Sequence, residues 1–167
     1  MRGGATVVQL RLKQADARTL VDLGRILVAS LPVPVIVNDR ADVALACGAA
    51  GVHVGADDLP VSAVRRIAPL GFIVGASVRA DTVGADYVGI GPVFTTNSKT
   101  DAPDAIGVSG FRKLLTTVPA VAIGGITAAN VAELKKAGAS GVAVISAIFG
   151  TADPEHAARA IRTAWNT

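Results

Sequence analysis

The chain has 167 residues, of which 51% are hydrophobic, 4% aromatic and 17% charged, with a formal net charge of +3. The length suits a single domain over residues 1–167, and so little charge excludes a disordered tail or a coiled coil. One cysteine, Cys47, excludes an internal disulfide framework, and the mild, interspersed charge makes no case for nucleic acid.

In chain order the pattern predicts a strand over Ala5–Leu12, a helix over about Ala15–Ser30 and a strand over Val33–Asn38. A helix over Ala41–Cys47, a strand over Gly51–Gly55, a helix over Pro60–Ile67 and a strand over Phe72–Ser77 follow. The second half reads as strands Tyr87–Val93, Ala120–Gly124 and Gly141–Ile145, with helices over Ser109–Thr116, Ala128–Ala137 and Pro154–Ala164. Asp153 before Pro154 is an N-cap followed by proline in the first turn, and Gly48 and Gly138 stand where helices end. Cys47, in an Ala-rich helix, is expected to pack in the core, and His156 and Trp165 to pack or face solvent. The apolar stretches are short and broken, so no membrane span is expected, and MRGGATVV lacks the apolar core of a signal peptide. A cytoplasmic location is expected.

Most of these strands are near-continuous Val/Ile runs, the mark of parallel strands buried on both faces. Their alternation with helices implies right-handed βαβ units. The phrases GAAGVHVG, GADYVGIG and GASGVAVI repeat a helix-ending glycine, a small-residue turn and a short buried strand. Such quasi-equivalent units favour a (β/α)8 barrel over an open sheet, and put the chemistry at the carboxyl ends of the strands.

At those ends the first strand carries Gln9, Arg11 and Lys13, spaced by two, which offers two cations and an amide to an anionic ligand. A solvated strand end is the plain alternative. Asn38-Asp39-Arg40 closes the second unit, and His53, Gly55, Asp57 and Asp58 close the third. Asp39 with Asp57 or Asp58 would supply the two oxygen ligands with which proteins hold Mg²⁺, although acids before helices also serve as N-caps. His53, inside an apolar run, reads as a packed residue more than a catalyst.

Ser77 ends the fourth strand. The loop from Gly91 to Gly107 is long and hydroxyl-rich, and its Thr96, Ser98 and Lys99 could donate to a phosphate. Gly124-Gly125 and Val144-Ile145-Ser146 close the last two strands, where a ligand could approach the backbone closely.

Taken in order, QLRLK, NDR, HVGADD, GAS, T-x-S-K, AIGGI and VISAI resemble the thiamine-phosphate synthase family over about residues 3–165. The resemblance implies a (β/α)8 barrel that joins hydroxymethylpyrimidine pyrophosphate to a thiazole phosphate and releases pyrophosphate. It implies pyrimidine-pyrophosphate contacts at Gln9, Arg11, Lys13, Asn38, Ser77 and Lys99, of which Arg11, Lys13, Ser77 and Lys99 would be catalytic. It places the Mg²⁺ ligands at Asp39 and Asp58, and the thiazole-phosphate site at Thr96, Ser98, Gly125, Ile145 and Ser146. Such a reaction needs cations around a leaving group rather than a nucleophile–base pair.

Two features depart from the family pattern. The family pattern expects a first strand and helix before the QLRLK strand, where this sequence reads MRGGA, and the six residues between Ser77 and Gly84 leave no room for the crossover helix it also expects. Two other readings share the fold. A thiazole tautomerase would favour a histidine where Arg79 stands, and a non-catalytic barrel would hold thiazole phosphate without turnover. The expected partners are small molecules, with no nucleic acid or membrane, and the Ala/Val-rich helix faces would suit a homo-oligomer.

Overall fold

The computed structural model describes residues 1–96 and 103–167, which contain seven strands. They fall into two compact units: Thr6–Tyr87 together with Met1, and Val88–Thr167 together with Arg2–Ala5. All seven predicted strands are present, most of them shorter than their apolar runs. Among the described residues no helix is long and apolar enough to cross a membrane.

The first unit contains β1 (Val8–Leu10), α1 (Ala17–Ser30), β2 (Val35–Asn38), α2 (Ala41–Cys47), β3 (Gly51–Val54), α3 (Val61–Ile67) and β4 (Ile73–Ser77). The strands pair in parallel in chain order, with Gln9 beside Ile36, Asn38 beside His53, and His53 beside Gly75. Pleating therefore puts Asn38, His53 and Gly75 on one face, and Val37, Val52, Val54, Val74 and Ala76 on the other, where they form the core with Val43, Val61 and Val64. Fully burying each such valine is worth about 1.5–3 kcal/mol, which is how a chain this poor in aromatics assembles a core. Asp16 caps α1 by accepting from the Thr19 N–H at 2.9 Å, and Gly48 ends α2 in the left-handed region at φ 72°. Cys47 is buried as expected, and a Cβ on Gly24 would stand 2.6 Å from its Sγ.

Between β4 and the next strand, β5 (Tyr87–Ile90), there is no helix, as the residue count requires. The short connection is tied down by Arg65 of α3. Its guanidinium donates to the Gly84 carbonyl at 2.9 and 3.1 Å, to the Phe72 carbonyl at 2.7 Å and to the Asp86 carboxylate at 2.7 Å. Asp86 in turn accepts from the Val74 N–H at 2.7 Å. Ala80 and Ala85 pack on the core, and Val74 and Ala76 are fully buried without a crossover helix. Arg65→Met is expected to cost about 1–2 kcal/mol, since these charge-assisted bonds are partly solvent-exposed, and urea unfolding would measure it. An unchanged midpoint would show that the clamp contributes nothing.

The second unit contains the rest of β5, then α4 (Gly107–Lys113), β6 (Ala120–Ile123), α5 (Val131–Lys136), β7 (Gly141–Ala143), α6 (Ser146–Phe149) and α7 (Pro154–Asn166). Its strands are also parallel, with Ile90 beside Ala122 and Ile123 beside Ala143. Phe111, Val131 and Leu134 are fully buried at its centre. Asp153 caps α7 by accepting from the His156 N–H at 2.9 Å, as predicted, and Gly138 follows α5 at φ 101°. The four-residue helix α6 was not predicted, because it is too short to show a periodicity. Arg2–Ala5 belong here: Arg2 pairs with Glu155 at 2.9 Å, and a Cβ on Gly3 would meet Ala158 Cβ at 2.7 Å.

Candidate active site

In the first unit the strand ends bring four charged groups together. Asp39 follows β2 at a positive φ of 65°, inside a three-residue turn closed by the Arg40 N–H donating to the Asn38 carbonyl at 2.8 Å. Its own N–H donates to the His53 carbonyl at 2.8 Å. A non-glycine residue in this region costs of order 1–3 kcal/mol, and such positions concentrate at functional sites. Partial burial, then the negative charge of Asp58 and a hydrogen bond with it, raise the Asp39 carboxyl above its usual range. The charges of Lys13 and Arg11 pull in the opposite direction. The charges of Asp58, Lys13 and Arg11 thus all act on the Asp39 carboxyl.

Neither acid is a helix cap. Arg40 occupies the N-cap of α2 and Pro60 that of α3, with no side-chain cap bond at either. Asp58 instead accepts from the Gly55 N–H at 2.6 Å, while Asp57 is exposed. Among the described residues no three His, Cys, Asp or Glu side chains gather into a metal cage. Two adjacent carboxylates whose charges oppose one another still fit a hard divalent cation that keeps water or phosphate oxygens in its other positions. Only Gln9 of the first triplet lies within a strand; Arg11 and Lys13 fall in the turn after β1, because pairing with β2 ends at Leu10.

Beside this cluster runs a hydrogen-bonded string. His53 Nδ1 lies 3.1 Å from Tyr87 Oη, and Nε2 lies 3.3 Å from Ser77 Oγ. The two rings are tilted by 31° with centroids 5.5 Å apart. Burial pushes the imidazole down to about 4, against the opposing charge of Asp58, and pushes the Tyr87 phenol up to about 12. Ser77 and His53 thus resemble a nucleophile and base in distance alone. A ring held neutral with so low a proton affinity, oriented by a phenol and not a carboxylate, is a poor general base. His53 is a packed residue, as expected, but one with both nitrogens engaged. The sequence reading missed Tyr87, whose signal was being the chain's only tyrosine, and Gly75, whose missing side chain leaves the space that the Tyr87 ring fills.

The depressed histidine has a measurable consequence. Below pH 6.5 the unfolded chain takes up a proton that folded His53 refuses, so stability falls toward about pH 4, where the folded ring protonates too. The slope from this one group is about 1.4 kcal/mol per pH unit within that window. His53→Gln should lose that part of the pH dependence in denaturant unfolding at pH 4.5 to 6.5. An identical slope in the variant would contradict a neutral His53.

In the second unit the loop after β5 runs against the end of β6. The Val93 N–H donates to the Ile123 carbonyl at 2.8 Å and the Phe94 N–H to the Gly124 carbonyl at 3.1 Å. Gly124 and Gly125 have φ of 89° and 64°. A Cβ on Gly125 would stand 2.7 Å from Phe94 Cβ and 2.5 Å from the Thr95 carbonyl oxygen. Two glycines are therefore required by conformation and by crowding together. Thr96 continues this loop; Ser98 and Lys99 lie outside the described residues. Ile123 pairs with Ala143 on the adjacent strand, beyond which Ile145 stands at the N-cap of α6 and Ser146 opens it. Arg79, after Ser77, is exposed.

Parallel strands alternating with helices define an α/β protein, with cations and paired acids after the strands of the first unit and a crowded Gly-Gly turn after β6 in the second. Residues 1–148 match the family described as thiamine monophosphate synthase, and the chain belongs to that family. It is 50% identical over 172 residues to a thiamine-phosphate synthase of Methanoculleus marisnigri, covering 96% of this chain and 82% of the relative. A thiamine-phosphate synthase of Desulfitobacterium hafniense is 45% identical, covering 99% of this chain and 86% of its own. Among solved structures, a thiamine phosphate pyrophosphorylase from Pyrococcus furiosus superposes with a TM-score of 0.86 at 39% identity, covering 99% of this chain and 85% of that one.

Proposed function

We propose that the chain condenses hydroxymethylpyrimidine pyrophosphate with a thiazole phosphate in a Mg²⁺-dependent reaction that yields thiamine phosphate and pyrophosphate. The observation that carries this reading is the charge cluster of Arg11, Lys13, Asp39 and Asp58 beside a histidine too weakly basic to activate a nucleophile. Family membership and the names of the relatives support it. The same reading takes the seven strands as members of a (β/α)8 barrel, supported by the strand–helix alternation and the likeness to the pyrophosphorylase.

In this reaction the bond between the pyrimidine methylene carbon and the pyrophosphate oxygen breaks, and its electron pair leaves with the oxygen. The aminopyrimidine ring stabilises the resulting cation, and the thiazole nitrogen then forms the new C–N bond. Arg11, Lys13 and Lys99 neutralise the departing pyrophosphate, while Gln9, Asn38 and Ser77 orient the pyrimidine. Asp39 and Asp58 would hold Mg²⁺, which when bound adds positive charge at the pyrophosphate oxygens. Thr96, Ser98, Gly125, Ile145 and Ser146 hold the thiazole phosphate. An assay for thiamine phosphate from the two substrates, with and without Mg²⁺, tests the reading. Interconversion of thiazole isomers in the absence of the pyrimidine substrate would instead identify a tautomerase.

A further inference from the structure

Asn130 precedes α5 and looks like an ordinary helix cap, yet its side chain makes no cap bond to that helix. It reaches back to the turn after β6. Its Nδ2 donates to the Gly125 carbonyl at 3.0 Å, and its Oδ1 accepts from the Thr127 N–H at 2.8 Å. One amide thus grips the peptide planes on both sides of Ile126, and a trans peptide is rigid, so fixing its carbonyl fixes its N–H as well. The opposite side of the same turn is crowded by Phe94 and Thr95, against which Gly125 has no room for a side chain. Gly124 and Gly125 are the most conformationally permissive residues available, and left alone they would sample many peptide orientations. Asn130 removes that freedom from one side as the loop does from the other.

We propose that Asn130 is a positioning residue for phosphate recognition, acting through the Gly124–Thr127 turn without contacting the substrate. The inference rests on the reading of that turn as the thiazole-phosphate site. Preorganised backbone amides bind an anion without the entropy cost of ordering two glycines at each encounter. The loss therefore falls on thiazole phosphate, and the pyrimidine pyrophosphate, held by Arg11 and Lys13, is unaffected.

The test is calorimetric titration of thiazole phosphate into the wild-type chain, Asn130→Ala and Asn130→Asp, with steady-state KM values for both substrates. Asn130→Asp preserves the size and the acceptor for Thr127 but has no donor for the Gly125 carbonyl. Both variants should bind thiazole phosphate about ten-fold more weakly, as the loss of one or two hydrogen bonds implies, with KM for the pyrimidine pyrophosphate unchanged. If Asn130→Ala does not fold, Asn130→Asp gives the same reading. Wild-type binding with undiminished binding by the variants overturns the inference alone, as does an equal rise in both KM values. Failure of the wild-type chain to bind thiazole phosphate overturns the assignment of the turn, and this inference with it.

Discussion

Asp39→Asn should lower turnover by a factor on the order of 10²–10³ while leaving the protein at least as stable as the parent. The two effects separate because Asp39 is costly to the fold when ionised. Burial and the neighbouring charge of Asp58 raise its proton affinity above the unfolded value. A group shifted in this direction favours the fold at low pH and opposes it as pH rises through its folded value. Asparagine removes that opposition, and it tolerates a left-handed φ better than almost any other residue, so the turn at 65° survives. The variant loses the charge that would hold the cation, and half-saturating Mg²⁺ should rise together with the fall in turnover. Steady-state rates across a Mg²⁺ titration and a thermal melt read both quantities. Near-parental turnover would remove Asp39 from the reaction, and a large loss of stability would mean that its carboxylate is structural.

Gly125→Ala should cost about 2–4 kcal/mol of stability and weaken use of the thiazole phosphate more than ten-fold. About 1–2 kcal/mol belongs to a left-handed φ of 64° at a residue with a Cβ. The remainder belongs to crowding, since the new methyl would fall 2.7 Å from Phe94 Cβ and 2.5 Å from the Thr95 carbonyl oxygen, displacing the loop that leads to Thr96. Gly48→Ala separates the two contributions. Gly48 has a similar φ of 72° but nothing within 4 Å of the added carbon, so its cost is conformational alone. Denaturant unfolding of the pair, with KM for each substrate, provides the measurement. Equal destabilisation by the two substitutions would show that crowding against the loop has no energetic consequence.

Much of the architecture was legible because burial on both faces writes itself into sequence as unbroken Val and Ile. Val35–Val37 declared itself in this way, and Val52 and Val54 did so on either side of His53. Strand limits were less legible, since apolarity reports burial and not pairing. The run Ala5–Leu12 became a strand of three residues, with Ala5 grouped with the second unit and Val7 and Leu12 exposed. The charged strand ends could be listed but not interpreted. Asp39 and Asp58 both precede helices, and only the placement of Arg40 and Pro60 at the caps removed that alternative. Tyr87 and Gly75 were illegible for a deeper reason: a glycine's empty space has meaning only beside the ring that fills it. Asn130 was hidden by its position, where a side chain that braces the preceding turn is spelled like one that caps the following helix.

The clamp on the helix-free connection bears on where this chain can accept new sequence. Arg65 holds the carbonyl of Gly84 and the carboxylate of Asp86, and the Ala80 N–H holds the Ser77 carbonyl at 2.8 Å. Both anchors lie outside the exposed tip, whose Val83 is 80% accessible. A grafted segment entering between Asp81 and Val83 would leave the strand, the clamp and the Tyr87 ring undisturbed, at the modest entropy cost of a longer loop. The first unit thus carries a port for insertion beside the strand that supplies Ser77.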